Sequence, residues 1–173
     1  PVIAAINGVT RGAGNNMAFA ADFRIASEQA NFGCNFVERG LMGEASAYYL
    51  PRLVGMAIAT EICMLGEPFD AAQAKAWGLV NKVVPGAELT STAAEWAGRL
   101  ATGPTKTLGF AKRLLNRSLD SDRATMFEEE SLLVEMVAAT GDSGEGVASF
   151  VERRPPEVKG GYGRPLSPNG AGV

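Results

Sequence analysis

The chain of 173 residues contains no histidine. That absence removes Ser-His-Asp triads, Cys-His pairs, H-E-x-x-H zinc sites and the commonest general base together. Acid/base work therefore falls to Asp, Glu, Tyr, Lys or Cys. Cys34 and Cys63 lack a C-x-x-C spacing and read as reduced, mostly buried thiols. The segment best suited to polar chemistry is Gly12-Ala13-Gly14, between an apolar strand and a helical run. Glycines let a backbone approach a ligand, and the first N–H groups of a helix are unpaired donors at the positive end of its dipole. An oxyanion-binding site is chemically natural there, and a plain strand-to-helix turn is the equal alternative. The third glycine of a dinucleotide fingerprint is replaced by Met17, and no Gly-Lys-Ser/Thr phosphate loop is present. Glu44, at a helix start, reads from its local setting as a solvated carboxylate stabilising the dipole. Glu128-Glu129-Glu130 reads as a solvated helix face, and Tyr48 and Tyr49 as packing residues.

The elements that must position these residues follow from hydrophobic period and turn residues. Val2 to Ile6 is a near-continuous apolar run, expected as a strand buried on both faces and therefore needing neighbours upstream of Pro1. Asn7-Gly8 marks a turn, and the helix after Gly14 runs through Met17 and Phe19 to Ala21. Phe23 to Ala26 alternates as a half-buried strand, Ala30 to Gly33 forms a second short one, and residues 37–43 read as loop. A helix from Ala45 to Val54 is followed, after Gly55, by another carrying Ile58, Ile62 and Leu65 at i, i+4, i+7. Asp70 caps a short helix that Gly78 stops, and Leu79 to Val84 is a strand. Beyond Pro85-Gly86 the chain is helical to about Arg153, with breaks at Thr102-Gly103-Pro104 and Gly141-Asp142-Ser143. Apolar faces carry Ala93, Trp96, Ala97 and Leu100, then Leu108, Ala111 and Leu115, then Phe127, Val134 and Val137. Strands with embedded helices, followed by a helical layer, indicate an α/β protein with one core and no second domain.

Composition narrows the function. With 46% hydrophobic and 20% charged residues this is an ordinary globular chain. Its apolar stretches fall short of the ~18 residues a membrane span needs, and no signal-peptide pattern opens it, so a cytoplasmic protein is expected. A net charge of −3, with Lys and Arg scattered singly, provides no footprint for nucleic acid or an anionic membrane. Small-molecule chemistry is the expectation.

Several segments carry a resemblance. Pro1-Val2-Ile3-Ala4-Ala5-Ile6-Asn7-Gly8, Gly12-Ala13-Gly14 with Ala20-Ala21-Asp22-Phe23-Arg24-Ile25-Ala26, Ala30-Asn31-Phe32-Gly33, Gly40-Leu41 and Leu50-Pro51-Arg52-Leu53-Val54-Gly55 closely resemble the enoyl-CoA hydratase/isomerase (crotonase) superfamily. Ala71 to Val84 resembles its A-x-x-A-x-x-x-G-L-V element, and Glu145-Gly146 with Phe150 and Arg153 its C-terminal helix. The likeness runs in register over residues 1 to 153. It implies a crotonase-like (ββα) superhelix whose first third is missing. On that reading residues 1–103 form the later part of the spiral core, 104–154 a C-terminal helical trimerisation region and 155–173 a flexible tail, low in apolar residues. A coenzyme A thioester is then the substrate, with no metal and no further cofactor, and a homotrimer or dimer of trimers is the expected assembly.

The resemblance also implies roles. The peptide N–H of Ala13, between Gly12 and Gly14, corresponds to one of two donors that hold the thioester enolate oxygen; the other is expected upstream of residue 1. The two glutamates of the hydratases fall on Asn16 and Phe36, neither of which moves a proton. Glu44 falls where isomerase branches, including Δ3,Δ2-enoyl-CoA and phenylacetate-pathway isomerases, carry Asp or Glu. Gly43 stands where those branches have Pro, so a looser loop is expected. Phe36 and Leu41 are expected beside the acyl group, and Asn16 to bond Glu44, a substrate group or an interior partner. One carboxylate suffices to take a proton from C2 of a 3-enoyl thioester and return it at C4. The function implied is Δ3 to Δ2 double-bond isomerisation of an acyl-CoA. The alternatives are hydration or another crotonase reaction with Glu44 activating water, and acyl-CoA binding without turnover by a non-catalytic protein or fragment.

Overall fold

The structure, a computed structural model, describes residues 1–160. The chain divides into two compact units, Pro1–Ala97 and a second from Gly98, where the composition suggests a single core. In the first unit the chain runs β1 (Ile3–Ile6), β2 (Val9–Arg11), α1 (Ala13–Ala20), β3 (Phe23–Ser27), β4 (Asn31–Gly33), a 3-10 turn (Val37–Arg39), α2 (Ser46–Leu65), β5 (Phe69–Asp70), α3 (Ala71–Ala76), β6 (Lys82–Val84) and most of α4 (Leu89–Ala101).

Two three-stranded sheets result, ordered β1-β3-β6 and β2-β4-β5. The bend at Asn7-Gly8 separates β1 from β2, so the two strands join different sheets. The next turn of chain repeats the step: β3 lies parallel to β1 with Phe23 opposite Ile3, and β4 parallel to β2 with Asn31 opposite Val9. Parallel neighbours require long crossovers, and α1 supplies the first. Each ββα turn thus adds one strand to each sheet.

β1 is an edge strand among the described residues and is buried only at Ile6. It is not the doubly buried strand its apolar run suggests. β3, the central strand, is buried from Arg24 to Ser27, including the guanidinium that alternation places outside. Burial lowers the Arg24 pKa, with Asp22 opposing that shift. Its cost is offset by backbone acceptors: Nε donates to Leu79 O at 2.6 Å, and one terminal nitrogen to Ala21 O at 2.5 Å and Phe19 O at 3.3 Å. Arg24 thereby ties the end of α1 to the segment entering β6, which is a strand only from Lys82 although Leu79 and Val80 are buried.

Phe19, Phe32, Leu50, Phe69 and Leu79 fill the main core, where Phe32 and Phe69 stack with centroids 5.4 Å apart. Each such side chain stabilises the fold by about 1.5–3 kcal/mol relative to exposure. A second cluster joins Ile25 and Val84 to Leu89 and Trp96, placing the first turns of α4 against β3 and β6. Gly55, at φ 78° and ψ 165°, kinks α2 between its two predicted halves. Asp70 caps α3 by accepting from Gln73 N at 2.8 Å, while the Gln73 amide accepts from Asp70 N.

The second unit contains α5 (Thr105–Arg117), α6 (Arg123–Ala138) and α7 (Gly141–Glu152), with α6 packed against both neighbours. A turn at residues 118–122, which holds no glycine or proline to mark it, separates α5 from α6, and Gly141-Asp142-Ser143 forms the first turn of α7, capped by Thr140. α6 turns Leu133 and Val137 inward and leaves Phe127 and Val134 exposed, because its apolar residues occur on two faces and only one is covered. The first residues of the expected tail bond to α7. Asp142 accepts from Lys159 N and Gly160 N, and Glu145 from Glu157 N. Its remainder, 161–173, lies outside the described residues. No helix among those described is long and apolar enough to cross a membrane.

Two outcomes follow. Arg24→Leu leaves three carbonyls without their donor, and at ~1–3 kcal/mol for an unsatisfied buried group the variant should lose several kcal/mol of stability in a urea titration. Glu145, held by Arg154 and then by Glu157 N–H, has its pKa lowered from 4.5 to about 2. A depressed carboxylate adds stability above its unfolded pKa that is lost as pH falls through the folded value. Between pH 4.5 and 2, Glu145→Gln should therefore flatten part of the fall in melting temperature seen in the parent.

Candidate active site

β2 ends at Arg11 and α1 begins at Ala13, so Gly12 alone turns strand into helix, with φ 52° and ψ −126°. That region of backbone space is accessible chiefly to glycine. Among the described residues no side chain caps α1. The Gly12 carbonyl accepts from Asn15 N at 3.1 Å and Asn16 N at 3.3 Å. The N–H groups of Ala13 and Gly14 have no acceptor within the helix, and both residues are exposed. A partial positive end with accessible donors is the electrostatic complement of an oxygen that gains charge. Asn15 is fully buried and anchors this turn, its Nδ2 donating to Gly33 O at 2.7 Å.

Asn16, one helical turn after Ala13, reaches the loop before α2. Its Nδ2 donates to Glu44 Oε2 at 3.3 Å, and its Oδ1 accepts from Ser46 Oγ at 2.5 Å. Glu44 is exposed and lies two residues before α2. Its loop is closed by Glu44 N donating to Met42 O at 2.9 Å and Ala47 N to Gly43 O at 3.0 Å. A β-carbon on Gly43 would meet Ser46, Cys63 and Phe36 at 3.6–3.8 Å, so the residue packs in ordinary contact. Fully buried Ser46 also lies 3.5 Å from Cys34 Sγ. Burial pushes the Cys34 and Cys63 thiols up; at Cys34 bonds with Ser46 and Asn15 and the charge of Arg11 oppose this in part.

A cleft of about 430 Å³ opens beside Gly12 and is lined also by Phe36 and Leu41. Ala13, Gly14, Asn16 and Glu44 are not among its lining residues; of these, Asn16 on α1 bonds Glu44 in the loop before α2. Sequence reasoning missed Arg11, Asn35, Glu38 and Arg39, which line the same cleft. Arg11 is fixed by donation to Thr10 O at 3.1 Å and to Asn31 Oδ1, and Asn35 donates to Glu38 at 3.1 Å. β2 was unrecognised as a strand, so nothing indicated which way Arg11 would face.

The ββα spiral is a fold that solved structures share. An enoyl-CoA hydratase from Bacillus anthracis superposes with a TM-score of 0.87 at 37% identity, covering 92% of this chain and 62% of that one. An enoyl-CoA hydratase/isomerase from Cupriavidus metallidurans CH34 has the same TM-score at 34% identity, covering 96% and 63%. Residues 1–161 match the enoyl-CoA hydratase/isomerase family profile. Among curated relatives, 1,2-epoxyphenylacetyl-CoA isomerase of Escherichia coli K12 is 35% identical over 161 residues, 92% of this chain and 62% of the relative. The 2,3-dehydroadipyl-CoA hydratase of the same organism is 34% identical, with 92% and 63% covered. The chain belongs to the enoyl-CoA hydratase/isomerase family, and spans about 62% of the length of the relatives it matches.

Gly12→Ala places a β-carbon where positive φ disfavours it. It should lower stability by ~1–3 kcal/mol in chemical denaturation, the strain falling on the turn that opens the Ala13 N–H.

Proposed function

We propose that the complete protein carrying this chain moves a double bond within an enoyl thioester of coenzyme A, from the Δ3 to the Δ2 position. Glu44 takes the C2 proton and returns it at C4, and the Ala13 N–H holds the thioester oxygen while it carries negative charge. The observation that carries this reading is the hydrogen bond from Asn16 to Glu44, which joins the helix bearing Ala13 to a carboxylate. Asn16 and Phe36 stand at the two hydratase glutamate positions, and neither is an acid or base at neutral pH. One carboxylate meets the need of a 1,3-shift, since the proton removed is the proton restored. An oxyanion donor fixed in advance can contribute ~10²–10³ in rate. Gly12, Phe36 and Leu41 border the space for the acyl group, and Gly14 keeps the donor end open. No metal or redox group enters this chemistry. Assembly as a homotrimer through residues 104–154 belongs to the same proposal, supported by exposed Leu115, Phe127, Leu132 and Phe150.

A second reading, hydration of a 2-enoyl thioester with Glu44 activating water, is supported by the exposure of Glu44 and by relatives named as hydratases. In the complete protein, Glu44→Gln should lower the rate of 2-enoyl chromophore formation from a 3-enoyl-CoA by ~10²-fold or more. A smaller loss overturns the proposal. Faster hydration than isomerisation by one preparation favours the second reading, and binding without either reaction indicates a non-catalytic protein.

A further inference from the structure

We propose that Ser46 is a positioning residue for Glu44, its buried hydroxyl anchoring the Asn16 amide with Nδ2 toward the carboxylate. The proposal rests on the reading of Glu44 as the proton-carrying group. Its basis is a single file of hydrogen bonds. Ser46 Oγ donates to Asn16 Oδ1 at 2.5 Å. A hydroxyl has one proton, so its oxygen is then an acceptor, and the Cys34 thiol lies 3.5 Å away to donate to it. Burial keeps that thiol protonated at neutral pH. Behind it, Asn15 Nδ2 donates to Cys34 Sγ at 3.8 Å and to Gly33 O. Every donor points the same way, from Asn15 through Cys34 and Ser46 to Asn16, whose Nδ2 ends the file on Glu44 Oε2. Bonds aligned in this sense polarise one another.

The opposite polarity carries a specific cost. If the Asn16 amide turned over, Nδ2 would face Ser46, and Ser46 would have to swing its proton to Cys34. Asn16 Oδ1 would then stand at the carboxylate, two acceptors with no proton between them. The Glu44 carboxylate thus favours one orientation of the amide, and the bond from the buried Ser46 hydroxyl to Oδ1 holds the amide in it. Asn16 holds Oε2 and leaves Oε1 for the acyl chain. When Oε1 takes the C2 proton, Oε2 still accepts from Asn16, so one arrangement serves both proton transfers. The proton leaves C2, rests on Oε1 and is delivered to C4; none is drawn from the file itself.

The test is a double-mutant cycle in the complete protein with a 3-enoyl-CoA. Ser46→Ala and Asn16→Leu should each lower kcat by ~5–20-fold with KM changed less than about twofold. The double variant should be no slower than Asn16→Leu alone, because Ser46 acts through Asn16. Losses that multiply, or a Ser46→Ala loss confined to KM, would overturn the proposal. Should Ser46→Ala lose its cooperative thermal transition, the same cycle is run with Cys34→Ala, which removes the donor behind the hydroxyl. Glu44→Gln is the separate arm. Full activity there sinks the isomerase reading and the proposal with it, whereas multiplying losses beside an inactive Glu44→Gln sink only the role of Ser46.

Discussion

Only Gly12 joins β2 to α1, and the architecture of the first unit turns on the backbone angles it adopts. A longer connection would let a side chain cap the helix. The single-residue turn leaves the Ala13 and Gly14 N–H groups uncapped and open. It also sets the phase of α1, so that Asn15 points into the protein toward Gly33 and Asn16 points along the surface toward Glu44. The bond from Asn16 to Glu44 thus depends on the phase that the Gly12 turn sets.

The site is built without histidine from short polar side chains of limited reach. Asn, Ser and Cys have few rotatable bonds, so ordering them costs little entropy and their hydrogen bonds define direction well. Such a set can hold a carboxylate in a fixed orientation. The proton chemistry proposed for the complete protein asks no more than that, since a 1,3-shift begins and ends with the same proton on substrate.

Long-range polar ties hold the spiral together around this site. Arg24 spends its donors on carbonyls of α1 and of the segment entering β6, linking parts of the chain that hydrophobic packing alone would register less sharply. Asp142 and Glu145 do comparable work in the second unit by binding backbone N–H groups of residues 157–160. These ties are hydrogen bonds from charged groups to backbone, stronger than neutral pairs and exacting in geometry.

The sequence by itself determined what depends on near neighbours in the chain: the glycine-led entry to α1, the kink at Gly55, the cap at Asp70, the longer helices of the first unit, and family membership through motifs in register. Sign of φ, capping and period are local rules, readable over a few residues. Tertiary structure alone decided the rest. β2 and β5 are three and two residues long, too short for alternation to announce them, and exist because β4 pairs with both. The burial of Arg24, the inward face of α6 and the cleft residues Arg11 and Arg39 depend on what lies opposite. So does the file from Cys34 to Glu44, whose bonded residues stand up to 30 positions apart. A hydrogen bond is made between places in space, and only the folded chain brings those places together.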